Sequence, residues 1–318
     1  MKRFLTNLAL FILLIITLLI IIIKAINKFD DKYHNKYNRL AKELKVTEIL
    51  ITGDSHSLFA IDPDSLGKKA ANISESSKPI EIDLYVIEKN IEFMHSLKAV
   101  IIPIDYFTLF FDGRKEKFTK RYFLHWGIPI SNSLVPLDIN NTHFGTCGLK
   151  LLKDMKNGRA KISNYYPHGG NWSETSSLKQ NIISRKRLNI WNKKWIDTSN
   201  ETRITDKLIS FSRKCEKYGI DVYLISMPVS KNIFKLYDKK IVERTRLQIT
   251  KILKETNCSY TDFNNFAIFK ADSLYSDPDH LNRFGAQIIT HLIKSQLSVI
   301  FSANQYNLTL LETCKKYW

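Results

Sequence analysis

The chain has 318 residues, 44% of them hydrophobic and 12% aromatic, which is enough for one large globular core and too apolar for a disordered chain. Its formal charge of +17 favours anionic partners such as phospholipid headgroups, acidic glycans or anionic wall polymers. Scattered lysines that only keep the surface solvated are the competing reading, and no motif that reads DNA or RNA accompanies the charge, so no nucleic-acid partner is expected.

Met1-Lys2-Arg3 is a short basic start, followed from Phe4 to Ile23 by twenty residues in which only Thr6, Asn7 and Thr17 are polar. A helix of that length crosses a hydrocarbon layer of about 30 Å. The run ends in Ile20-Ile21-Ile22-Ile23-Lys24, with no small residues to mark a cleavage site, which favours an uncleaved anchor over a signal peptide. Lys2 and Arg3 place the amino terminus on the cytoplasmic side and the bulk of the chain outside, although Lys24 and Lys28 flank the other end. Residues 30–44 read as a polar helix or stalk.

The first buried strand is expected over 46–51, a mostly apolar run that stops at Gly53, where glycine permits a sharp turn. Ser55 and His56 follow at once. A second strand is read at Ala70-Ala71-Asn72-Ile73, and a helix over 82–97 from the spacing of Leu84, Ile87, Ile91 and Met94. Ala99 to Ile104 is the clearest strand, with Pro103 marking its end. Strand, helix, strand in this order predicts right-handed crossovers and a parallel sheet.

From 107 to 202 the periodicity breaks into aromatic clusters (Tyr122-Phe123, Tyr165-Tyr166), basic residues and Pro167-His168-Gly169-Gly170-Asn171-Trp172. So long a stretch inside an α/β domain reads as an insertion of short helices over the active edge. The α/β rhythm then resumes. A helix is expected over 204–218, a strand over 222–226, a helix over 241–256 and a strand over 259–263. A last helix, over 282–300, is assigned a buried stripe of Phe284, Ile288, Ile289 and Leu292. Cys147, Cys215, Cys258 and Cys314 form no Cys-x-x-Cys pair, so no zinc site is expected. Their spacing fits buried thiols and disulfides equally.

A serine on a tight turn at the carboxyl end of a buried parallel strand sits where α/β sheets gather their ligands, and it needs a base to become a nucleophile. The chain offers one in Asp277-Pro278-Asp279-His280, just before the last helix. Gly53-Asp54-Ser55 and Asp277-x-x-His280 together resemble the first and last blocks of the SGNH/GDSL hydrolase superfamily, over roughly 46–300. The resemblance implies an α/β, three-layer doubly wound parallel sheet within a domain spanning 46–318, behind an anchor (1–28) and a linker helix (29–45). It implies Ser55 as nucleophile, His280 as general base and Asp277 as the group that orients the imidazole. Asp279 is the alternative orienter, and Asp277 as a turn cap beside a surface His280 is the competing structural reading.

This chain departs from the superfamily after the third strand. There Gly-x-Asn-Asp normally supplies an oxyanion donor, and Pro103-Ile104-Asp105-Tyr106 stands instead. An ionised carboxylate cannot donate to a developing negative charge. Asn72, beside the backbone N–H of Ser55, is the candidate replacement, and a turn-capping role for it is equally compatible. His56 is read as supporting or superficial, since consecutive side chains rarely converge, and His168 as a pocket residue or part of a surface turn. Asp277, Asp279 and His280 lack a fourth ligand, so neither metal nor cofactor is expected. The resemblance thus implies acyl-ester hydrolysis or O-acyl transfer, on a cell-surface polysaccharide or wall polymer by analogy with anchored members. A non-catalytic anchored binding or assembly protein is the rival.

Overall fold

A computed structural model describes residues 2–29, 43, 45–67, 69–112 and 177–303. The chain divides into two units, one of residues 1–42 and 114–166 and the other of residues 43–113 and 167–318. In the first unit the described part is α1 (Lys2–Phe29), a helix whose residues 2–21 are apolar enough and long enough to cross a membrane. The expected linker at 29–45 lies almost wholly outside the described residues. Also outside are Cys147, Cys314 and the 167–172 segment with His168.

The second unit is α/β. Its main sheet has, among the described residues, five strands: β1 (Ile49–Ile51), β2 (Ala70–Asn72), β3 (Ala99–Pro103), β4 (Asp221–Ser226) and β5 (Ser259–Asp262). All pair in parallel, in the order β2-β1-β3-β4-β5. β1 and β3 are almost fully buried, as their unbroken apolar sequences require of strands covered on both faces. β1 and β3 are also where the strand order reverses, the position at which such sheets open a crevice beyond their carboxyl ends.

The helices are α2 (Ser55–Ala60), α3 (Ile80–Asn90), α4 (Ser177–Ile190), α5 (Glu201–Lys217), α6 (Lys231–Phe234), α7 (Lys239–Glu255) and α8 (Arg283–Ala303). One core layer joins Ile49, Ile51, Ile101 and Ile225 of the sheet to Ile289, Ile293 and Leu297 of α8. The alternate residues Leu50, Val100, Ile102 and Leu224 are equally buried. α4 ends in a wider π-type turn, Trp191–Trp195. Although α4 falls within the expected insertion, it belongs to the α/β unit.

The stripe expected on α8 needs one correction: Phe284 is 67% exposed. The buried row runs Ile289, Ile293, Leu297, and one turn earlier it meets Gly285, not Phe284. A Cβ on Gly285 would lie 2.5 Å from the carbonyl oxygen of Leu274, so the row must end in glycine where the helix closes on Leu274, immediately before a short strand. That strand is β6 (Tyr275–Asp277), which pairs antiparallel with β7 (His280–Leu281) in a two-stranded ribbon carrying the Asp-x-x-His residues.

Candidate active site

β1 ends in a turn built for close approach. Gly53 has φ +112°, and a Cβ there would sit 2.2 Å from Pro103 Cγ on the neighbouring strand. The Gly53 N–H donates to Asp83 Oδ2 (3.0 Å), Asp83 pairs with the buried Lys78, and the Gly53 carbonyl accepts from Glu75 N (3.0 Å). The turn is thereby fixed from both sides. Asp54 then caps α2 by accepting from His56 N (2.9 Å), leaving Ser55 as the first helical residue.

The ribbon brings the downstream block to it. His280 Nε2 lies 2.9 Å from Ser55 Oγ, and His280 Nδ1 lies 3.0 and 2.9 Å from the two oxygens of Asp277. Carboxylate oxygens only accept, so Nδ1 carries the proton and Nε2 is left to accept from the Ser55 hydroxyl. Asp277 also accepts from the backbone N–H groups of Asp279 (3.1 Å) and His280 (2.9 Å). It is therefore both the turn cap and the partner of the imidazole, so the two sequence readings of Asp277 are compatible. Asp279, the alternative orienter, is 3.9 Å from His280 Nδ1.

Asn72, the candidate oxyanion donor, is bonded to its own surroundings. Its Nδ2 donates to the carbonyls of Ser57 (3.3 Å) and Ile61 (3.1 Å), and its Oδ1 accepts from Ser74 N (2.9 Å). With both amide hydrogens engaged, it clamps the end of α2 to β2. Asp105 faces elsewhere as well, accepting from Met227 N (2.9 Å) through one oxygen and meeting His56 with the other.

That last contact belongs to a buried network that reading the sequence missed. His56 is 3% exposed, with Nδ1 2.7 Å from Asp105 Oδ2 and Nε2 3.3 Å from Asp279 Oδ2. Both ring nitrogens face acceptors, so both must donate, which makes His56 an imidazolium. Burial opposes that charge, but Asp54, Asp105 and Asp279 outweigh it and lift the His56 pKa well above its ordinary value. Burial likewise pushes Asp54 up, against the pull of His56 and with Asp105 adding to the rise. For Asp279, burial acts upward too. His280, His56 and Arg187 overcome it and hold that carboxyl well below the usual carboxylate range.

Arg187 reaches this centre from α4. Its guanidinium pairs with both oxygens of Asp279, stands 3.5 Å from Asp277 Oδ2, and lies 3.5 Å from His280 Nδ1. Phe59 packs edge-on against the His280 ring and Trp191 edge-on against His56, so aromatic walls flank both imidazoles. Two groups of side chains, His56–Asp279–His280 and Asp54–His56–Asp105, bring metal-ligand atoms within 4.8 Å of one another. A doubly donating His56 has no lone pair for a metal, and Arg187 already supplies the positive charge at Asp279.

The arrangement thus offers a hydroxyl, a base in reach of its proton and a carboxylate that fixes the base. Neither a protein-family model nor a curated protein matches this chain.

Proposed function

We propose that the protein is a serine-dependent acyl-ester hydrolase or O-acyltransferase of SGNH type, with the three-layer doubly wound architecture that this type implies. The supporting observation is the chain of contacts from Ser55 Oγ to His280 Nε2 and from His280 Nδ1 to Asp277. Ser55 Oγ attacks the ester carbonyl as His280 takes its proton. His280 returns that proton to the departing alkoxide, leaving an acyl-serine. Water or a second hydroxyl, deprotonated by His280, then attacks the acyl-serine carbonyl, and His280 returns that proton to Ser55 Oγ as the Oγ–acyl bond breaks.

The substrate is an acylated glycan or wall polymer at the cell surface. α1 serves as the membrane anchor, with its amino terminus cytoplasmic and the catalytic unit outside. An anionic polymer suits the outer face of α4. Residues 177–196 contain no Asp or Glu, and Arg185, Lys186, Lys193 and Lys194 are exposed there.

A second reading, a non-catalytic assembly or binding protein on the same scaffold, draws on one observation. Both side chains nearest the expected oxyanion donors, Asn72 and Asp105, are engaged in other bonds. Turnover of a chromogenic acetyl ester separates the two. The enzyme reading expects hydrolysis that disappears in Ser55→Ala, and hydrolysis equal in wild type and Ser55→Ala would exclude Ser55 as nucleophile.

A further inference from the structure

Two carboxylates compete for one imidazole nitrogen. Asp277 and Asp279 both stand near His280 Nδ1, at 2.9 and 3.9 Å, and only one can orient the ring toward Ser55. Asp279 is taken up on its other sides. Its oxygens are held by the Arg187 guanidinium, and His56 Nε2 donates to one of them at 3.3 Å. The second guanidinium nitrogen of Arg187 stands 3.5 Å from Asp277 Oδ2, the same oxygen that lies 2.9 Å from His280 Nδ1.

We infer that Arg187 is a positioning residue for the proposed reaction: by holding Asp279 away from His280, it leaves Asp277 as the one carboxylate bonded to the imidazole Nδ1. The inference rests on the serine-hydrolase reading of the site. Among the described residues, the groups facing His280 are Asp277 and Asp279 on its own ribbon, Ser55, His56 and Phe59 on α2, Arg187 on α4, and Asp54 at the cap of α2. Arg187 is the only one of these that bridges both carboxylates. Its planar fork can span two carboxylates, which a lysine ammonium, a point charge, cannot do in the same geometry.

With Arg187 removed, Asp279 keeps one bond to His56 and is free to turn toward Nδ1. His280 then divides its time between two orientations, of which one serves Ser55. The loss falls on the rate of the chemical step and not on substrate binding, because Arg187 acts on the base and not on the ester.

The test uses the full chain in detergent and a fluorophosphonate probe, which reports serine reactivity without a known substrate. For Arg187→Ala we expect the maximal labelling rate at Ser55 to fall about 10- to 100-fold, with the half-saturating probe concentration within about twofold of wild type. Tens of millimolar guanidinium restores part of the lost rate, and Arg187→Lys lies between wild type and Arg187→Ala. Asp277→Asn costs less in the Arg187→Ala background than in wild type, because a freed Asp279 partly substitutes. An unchanged labelling rate in Arg187→Ala, a fall with no guanidinium rescue, or an Asp277→Asn loss equal in both backgrounds overturns the positioning role. If Arg187→Ala unfolds, Arg187→Lys carries the test, and a wild-type rate in it is the refuting result. Wild-type protein that is not labelled at Ser55 sinks the underlying hydrolase reading instead, so the two failures are distinct.

Discussion

Replacing His56 by glutamine is the sharpest probe of the buried network. The substitution removes an imidazolium lodged between Asp105 and Asp279 and leaves Asp105, 5% exposed, without the charge that balances it, while Asp279 keeps Arg187. Removing one member of a buried ion pair costs about 3–5 kcal/mol, because the remaining charge keeps its desolvation penalty. Against a typical domain stability of about 5–15 kcal/mol, that lowers the unfolding temperature by about 10 °C. The sign with pH follows from the direction of the shift. A histidine whose folded pKa is raised contributes stability that is complete below its ordinary value and is lost as pH rises through the folded value. The penalty of His56→Gln is therefore largest in mildly acid and neutral buffer and shrinks in alkali. Thermal unfolding of the full chain in detergent, followed by circular dichroism across that range, reads both effects. Adding Asp105→Asn to His56→Gln recovers at least about 1 kcal/mol, since the stranded carboxylate is gone. A loss below about 1 kcal/mol at neutral pH, or one that grows with pH, refutes a charged His56.

Three further outcomes follow from the geometry. Gly53→Ala places a methyl group against Pro103 in a backbone conformation that L residues avoid, and is expected to cost about 3 kcal/mol or more and to reduce Ser55 labelling; calorimetry and probe kinetics check both. Asn72→Ala takes one donor from the Ser57 carbonyl, which keeps the Ile61 N–H, and removes the Asn72 donor from the Ile61 carbonyl, lowering stability by about 1–3 kcal/mol with less than a tenfold change in ester turnover, whereas an oxyanion donor would show a loss of about 100-fold or more. Hydrolysis of an anionic acetylated polymer is expected to weaken as salt rises from about 50 to 300 mM while that of a small neutral ester holds, and Lys193→Ser with Lys194→Ser should flatten the difference.

The scaffold was readable where local chemistry decides it. β1 and β3 are short apolar runs that stop at Gly53 and Pro103, and both are nearly fully buried in the sheet. The contact between Ser55 and His280 spans 225 positions, and it was legible only because each half sits at a sheet-edge boundary resembling a known block. The network behind it left no such trace. His56 meets Asp105 across 49 positions and Asp279 across 223, and Arg187 meets Asp279 across 92. In the sequence Arg187 is one cation in Arg185-Lys186-Arg187. A helical count would have separated it, since Gln180, Ser184 and Trp191 mark the buried side and Arg187 falls beside them while Arg185 and Lys186 face solvent. Asp105, noted only as a departure from an expected donor, is with Asp54 and Asp279 one of the carboxylates that keep His56 charged. Phe284 misled because apolarity was counted and the close approach at Gly285 was not.

The most direct measurement of the central claim is peptide mapping of the full-length protein after reaction with a fluorophosphonate. The account predicts a single adduct on Ser55, absent in Ser55→Ala and formed orders of magnitude more slowly in His280→Ala. An unmodified Ser55, or an adduct whose rate is indifferent to His280, contradicts it.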